Sequence, residues 1–154
     1  MPSVSSDGLT TMLESYQDLL DELLGTPSAI RQALTERDGA AISDAAADVM
    51  ADVIGRDRAV LARLQTMTKQ TDAYLPALTF PGRGDRDAAT LVEELDHARG
   101  ELVSLLMNLT LRDWERTAIS EEDGEITLSE EVERHVEFDE EHLARFQELV
   151  AQSA

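Results

Sequence analysis

Hydrophobic positions recur along this chain at steps of three and four almost without interruption, the spacing of one face of an α-helix. Leu9, Met12, Leu13, Tyr16, Leu19, Leu20, Leu23 and Leu24 open the pattern and predict a first helix over about Asp7 to Leu24, stopped by Gly25. Pro27 suits a first helical turn, so a separate short connecting helix is expected over SAIRQALTER, ending before Asp38-Gly39. Ser43 is the expected N-cap of a long second helix reaching about Gln70 or Asp72, with Val49, Met50, Val53, Val60, Leu61, Leu64 and Met67 inward. Asp52 lies beside that face and Asp57 close to it; on a helix this acidic each reads first as a solvated aspartate. YLPALTFPGRGDR follows, a long crossover with Leu75, Leu78 and Phe80 as apolar anchors. A third helix is expected from Asp87 to about Leu109, with Leu91, Leu95, Leu102, Leu105, Leu106 and Leu109 inside and His97 off the stripe.

The pattern is sharpest at the end of the chain. Thr127 and Glu130 form a capping box, so a final helix should begin near Leu128. Its seam runs Leu128, Val132, His135, Asp139, His142, Phe146, Leu149. The ends of that seam are apolar, while its middle carries two imidazoles and a carboxylate. Such groups are costly in a core unless they bind one another, a metal or a ligand. Before it, Trp114 should plug the end of the bundle and Asp123-Gly124 should turn the chain. No strand pairing is evident. The expected fold is all-α: one domain over residues 1–154, a four-helix bundle with one long crossover between the second and third helices.

Composition narrows the function. With 13 Lys+Arg against 32 Asp+Glu, the net charge is −19, and Lys69 is the one lysine. A surface of that sign repels phosphate backbones and anionic lipid heads, so neither nucleic acid nor membrane is expected as a partner. No apolar run approaches the ~20 residues of a membrane span, and the N-terminus lacks the basic and apolar regions of a signal peptide. A cytoplasmic location is the expectation. Without cysteine there is no disulfide, thiolate nucleophile or sulfur ligand.

Three segments resemble the DinB/YfiT-like superfamily of bacterial four-helix bundles. DVMADVIGRDRAVLARL (48–64) is similar to the second-helix pattern, in which an aliphatic pair precedes a histidine. DWERTAISEEDGEITLSE (113–130) is similar to the tryptophan loop, glycine turn and capped final helix. HVEFDEEHLARFQEL (135–149) resembles the HxxxH pattern of the final helix. The resemblance implies the same bundle, a homodimer in many members, and a metal triad of the zinc or nickel type. Some members are thiol-dependent transferases or isomerases that use bacillithiol or mycothiol, while many have no assigned reaction. Carried over by position, the final histidine of the pair falls on His142, the first falls on Phe138, and the second-helix histidine falls on Asp52.

Two readings of the polar seam follow. In the first, His142 and Asp139, three residues apart on one helix face, share a divalent ion with Asp52 or His135, and the ion activates a thiol, substrate or water. Phe138 in place of a histidine should weaken that binding, since imidazole suits zinc or nickel. In the second, His135, Asp139 and His142 form a structural polar network in a non-enzymatic, stress-associated bundle. Apolar residues outside one narrow stripe, Leu20 with Leu24 and Val60 with Leu61, are consistent with a homodimer in either case.

Overall fold

The computed structural model describes residues 6–37 and 41–152. Four long helices dominate: α1 Ser6–Thr35, α2 Asp44–Lys69, α3 Ala88–Met107 and α5 Leu128–Gln152; α4, Leu111–Trp114, is a single turn. Helix α1 packs against α3 and α5, and α2 packs against the same two. Consecutive helices α1 and α2 therefore face each other across the bundle instead of lying side by side. The long crossover joins α2 to α3, as the prolines and glycines predict. The Asp38-Gly39 turn lies outside the described residues.

The helix ends follow local chemistry. The Ser43 hydroxyl accepts from the Ala46 amide at the start of α2, and Asp87 accepts from Thr90 at the start of α3. At the start of α5 the Glu130 amide donates to the Thr127 hydroxyl at 3.2 Å, and the Thr127 amide donates to the Glu130 carboxylate at 3.1 Å. This is the reciprocal capping box read from the sequence.

Two expectations need correction. Gly25 does not stop the first helix: α1 runs through Gly25 and Pro27 as one element. Proline has no amide hydrogen, so Pro27 leaves the Leu23 carbonyl without its helical donor. Arg99 Nη1 of α3 donates to that carbonyl at 2.6 Å, and the helix continues. Strands are also present: β1 Ala73–Leu75, β2 Thr117–Ser120 and β3 Gly124–Thr127. They form one sheet in the order β1-β2-β3, with β1 parallel to β2 and β2–β3 a hairpin that turns at Gly124, φ 76°. Each is too short for period-two alternation to show against the helical pattern. The sheet and Trp114 close one end of the bundle, and Tyr16 stacks on the indole at 4.4 Å. Leu13 and Leu24 are exposed.

The apolar core comes in two parts. One, near the sheet, holds Leu20, Leu23, Val60, Leu64, Leu102, Leu106, Val132 and Val136. The other, at the far end, holds Ile30, Met50, Val53, Leu91, Leu95, Phe146 and Val150. Along every long helix the residues between these two sets are polar: Thr26 on α1, Arg56 and Asp57 on α2, Arg99 on α3, His135 and Asp139 on α5. All six are buried.

Candidate functional site

The polar layer is organised by Arg99, which is 2% exposed. Its Nε donates to both oxygens of Asp57, at 3.1 and 3.0 Å. Nη2 donates to Asp57 Oδ1 at 2.9 Å and to Asp139 Oδ1 at 2.8 Å. Nη1 donates to Asp139 Oδ2 at 2.7 Å and to the Leu23 carbonyl. An arginine has five N–H groups, and here each has an acceptor. Burial works against the charge of Arg99, but Asp57 and Asp139 outweigh it and hold its pKa above the ordinary arginine value. Thr26 completes Asp139, donating its hydroxyl to Oδ2 at 2.8 Å.

His135 links this centre to a second arginine. Its Nε2 lies 2.6 Å from Asp57 Oδ1 and its Nδ1 lies 2.6 Å from Arg56 Nη1. A guanidinium only donates, so Nδ1 must accept, and the ring proton sits on Nε2 and points at Asp57. His135 is thus a neutral Nε2–H tautomer. The layer holds two carboxylates and two guanidiniums around a neutral imidazole, and its charges cancel. Nearer the sheet a parallel arrangement recurs: buried Arg63 binds Glu131 at 3.1 Å, Glu122 at 2.8 Å, and the Pro76 carbonyl of the crossover.

The structure separates the residues singled out from the sequence. His135 and Asp139 meet, and their third companion is Asp57. These three offer ligand atoms within 4.8 Å of one another, all buried, and form the one group among the described residues that could hold a metal ion on distance alone. His142 and Asp52 stand outside it, each only half-buried. His142 stacks on Phe138 with ring centroids 3.7 Å apart, and its Nδ1 donates to the Phe138 carbonyl at 3.0 Å. Phe138, at the family histidine position, fills its place with aromatic contacts: Phe80 edge-on at 6.4 Å and the Arg56 guanidinium 4.9 Å from the ring centre. Phe80 comes this close because α2 has Gly55 there; a Cβ on Gly55 would lie 2.6 Å from Phe80 Cβ.

Two carboxylates and an imidazole suit a divalent cation by type. Their ligand atoms, however, are already engaged in hydrogen bonds. Both oxygens of each aspartate accept from Arg99, and Asp57 Oδ1 also accepts from His135. The His135 nitrogen facing the aspartates carries the proton, so binding an ion there needs the other tautomer, which would turn an N–H toward Arg56. A divalent ion would also add two charges to a buried layer that is neutral, beside a guanidinium that cannot leave. The donor set fits a metal; the charges and protons around it do not.

Arg99, Asp57 and Arg56 were not singled out as site residues from the sequence, yet a signal exists. Arg99 stands four residues after Leu95 and three before Leu102, and Asp57 stands four after Val53 and three before Val60. Each interrupts an apolar stripe, as His135 and Asp139 do on the last helix.

No family model matches the chain, and no curated protein matches it. Among solved structures it superposes on a protein described as "YfiT from Bacillus subtilis is a probable metal-dependent hydrolase with an unusual four-helix bundle topology". The TM-score is 0.70, with 16% identity, over 99% of this chain and 91% of that one. The four-helix bundle expected from the sequence is the fold of this chain, and that protein shares it. Among the described residues no helix is long and apolar enough to cross a membrane.

Proposed function

We propose that this chain is a YfiT-type bundle in which an internal arginine takes the structural place of a cation, and that it acts by binding rather than by metal-assisted hydrolysis. The observation that carries this reading is the engagement of Asp57 and Asp139 by every N–H of Arg99 but the one given to Leu23. Carboxylates that would otherwise repel each other in an apolar core are neutralised by a group covalently part of α3. The layer then fixes the register of four helices between two apolar clusters, a use of buried polar groups attested in other bundles.

A second reading, divalent-metal binding by Asp57, His135 and Asp139, is favoured by their spacing within 4.8 Å and by the description of the YfiT neighbour. Zinc or nickel would be the ion, and activation of water or a thiol the chemistry. Elemental analysis of the purified protein, followed by calorimetric titration with zinc and nickel, separates the two. The arginine reading expects neither a stoichiometric ion in the isolated protein nor uptake on titration. One ion per chain, lost in Asp57→Asn and His135→Ala, would establish the metal reading instead.

A further inference from the structure

Arg56 is 9% exposed, and among the described residues it makes no ion pair. In a chain with a net charge of −19 that is unexpected, because nearly any position lies close to a carboxylate. The acidic groups whose fields reach Arg56 most strongly, Glu131, Glu122 and Asp139, are all bonded to another arginine: the first two to Arg63, the third to Arg99. Asp52, one turn earlier on α2 at a spacing that permits a pair, does not form one. The contacts of Arg56 are the neutral His135 nitrogen and the face of Phe138. A buried charge is ordinarily paired. Here the protein supplies a desolvated cation and sends its counter-ions elsewhere.

The remaining N–H groups of Arg56 are not sealed. No Arg56 nitrogen is among the buried side-chain nitrogens that lack a hydrogen bond. Its free donors therefore reach solvent. Around them stand Phe138, which is half-buried, Phe80 across its edge, and His142 stacked on its ring. The Nδ1–H of His142 is spent on the Phe138 carbonyl, and among the described residues its other ring nitrogen has no hydrogen-bond partner.

We propose that Arg56 is the anchor of a binding site for a small organic carboxylate with a flat apolar body. The guanidinium provides charge-assisted, fork-like hydrogen bonds to the carboxylate. Phe138 and Phe80, packed edge to face beside the guanidinium, border it with aromatic carbon. Selectivity for an anion in so acidic a protein comes from the local excess of Arg56, held in place by His135 and short of a carboxylate of its own. The bound anion gives Arg56 the direct ion pair that it lacks. This inference rests on the reading of the bundle as a metal-free binding module, because His135 must stay an acceptor toward Arg56.

The test uses the full chain in low-chloride buffer with a chelator present, so that no metal ion contributes to the signal. Benzoate is the probe, and benzamide its neutral counterpart of the same shape. Calorimetry and thermal melts should show binding and stabilisation by benzoate and neither by benzamide. Arg56→Gln keeps a donor for His135 but removes the charge, and should weaken benzoate at least ~10-fold. Arg56→Lys keeps the charge without the fork and should fall between. Wild-type protein that ignores benzoate, that binds benzamide equally well, or whose benzoate affinity survives Arg56→Gln would overturn the proposal. The benzoate-benzamide comparison is made on wild type and does not depend on how a variant folds. Metal content is measured separately, so metal-free protein that fails to bind benzoate counts against this site alone.

Discussion

Arg99 and Arg56 are both sunk into the same polar layer, and they face opposite situations. Arg99 has five acceptor oxygens for five donors, four of them on the two carboxylates of Asp57 and Asp139. Its charge is favoured in the fold, with a pKa raised above the ordinary value against the pull of burial. Arg56 is pushed the other way: burial lowers its pKa, and the distant Glu131 only partly counters this. One imidazole stands between Arg56 and a carboxylate partner of Arg99: His135 gives its proton toward Asp57 and its lone pair toward Arg56. Similar burial thus produces a closed structural centre in one place and an open donor in another. Whether carboxylates surround the guanidinium decides which.

The largest effect should come from cutting the closed centre. Arg99→Met leaves Asp57 and Asp139 buried and unpaired, at a cost of about 3–5 kcal/mol, read as a fall in denaturant midpoint. Replacing all three together, Asp57→Leu, Arg99→Met and Asp139→Leu, should recover most of that loss, because the penalty lies in uncompensated charge rather than in missing contacts. Arg56→Gln should change stability by no more than about 1 kcal/mol, since it removes a desolvated charge and preserves a donor to His135. Equal losses at positions 56 and 99 would erase the distinction between them.

A smaller change probes how Arg99 supports α1. Pro27→Ala restores an amide hydrogen aimed at the Leu23 carbonyl, which Arg99 already occupies at 2.6 Å. A second donor to a satisfied carbonyl adds little, so the gain should be about 1 kcal/mol or less. A gain near the ~3 kcal/mol typical of an uncompensated helix proline would show that Arg99 does not absorb the break.

The smallest effect is a pH dependence at the exposed rim of the Arg63 cluster. Burial alone would raise the pKa of Glu122, but the Leu78 amide and Arg63 outweigh it and lower the pKa below 4.5. A depressed carboxyl pKa contributes stability above the unfolded value that is lost as the pH falls through the folded one. Glu122→Gln should therefore flatten the acid limb of the melting-temperature profile below about pH 4.5 and leave the neutral region nearly parallel to wild type. An unchanged acid limb would remove Glu122 from that account.

Much of the molecule was legible in its residues because the signals are local. Helical periodicity, the Ser43 cap and the Thr127–Glu130 box each act within one turn, and the structure has them where the chain marks them. The polar break in the last helix was legible for the same reason, which is how His135 and Asp139 were found. Asp57 was misread as a solvated aspartate, since a lone acid beside an apolar stripe is most often on the surface and only its partner on α3 says otherwise. The strands escaped because three or four residues carry no period of their own; their pairing, not their composition, makes them strands.

The amino-acid pattern by itself determined four long amphipathic helices, one long crossover and a polar interruption on the last helix, because spacing along one chain decides which side chains share a face. Only the tertiary structure decided that the first helix passes through Pro27, that the interruption is matched on all four helices, and that Asp57 rather than His142 or Asp52 joins His135 and Asp139. The physical reason is that each of these depends on a donor and an acceptor from different helices. Arg99 serves Leu23, Asp57 and Asp139 at once, and no reading of a single helix can show that its five N–H groups end on three others.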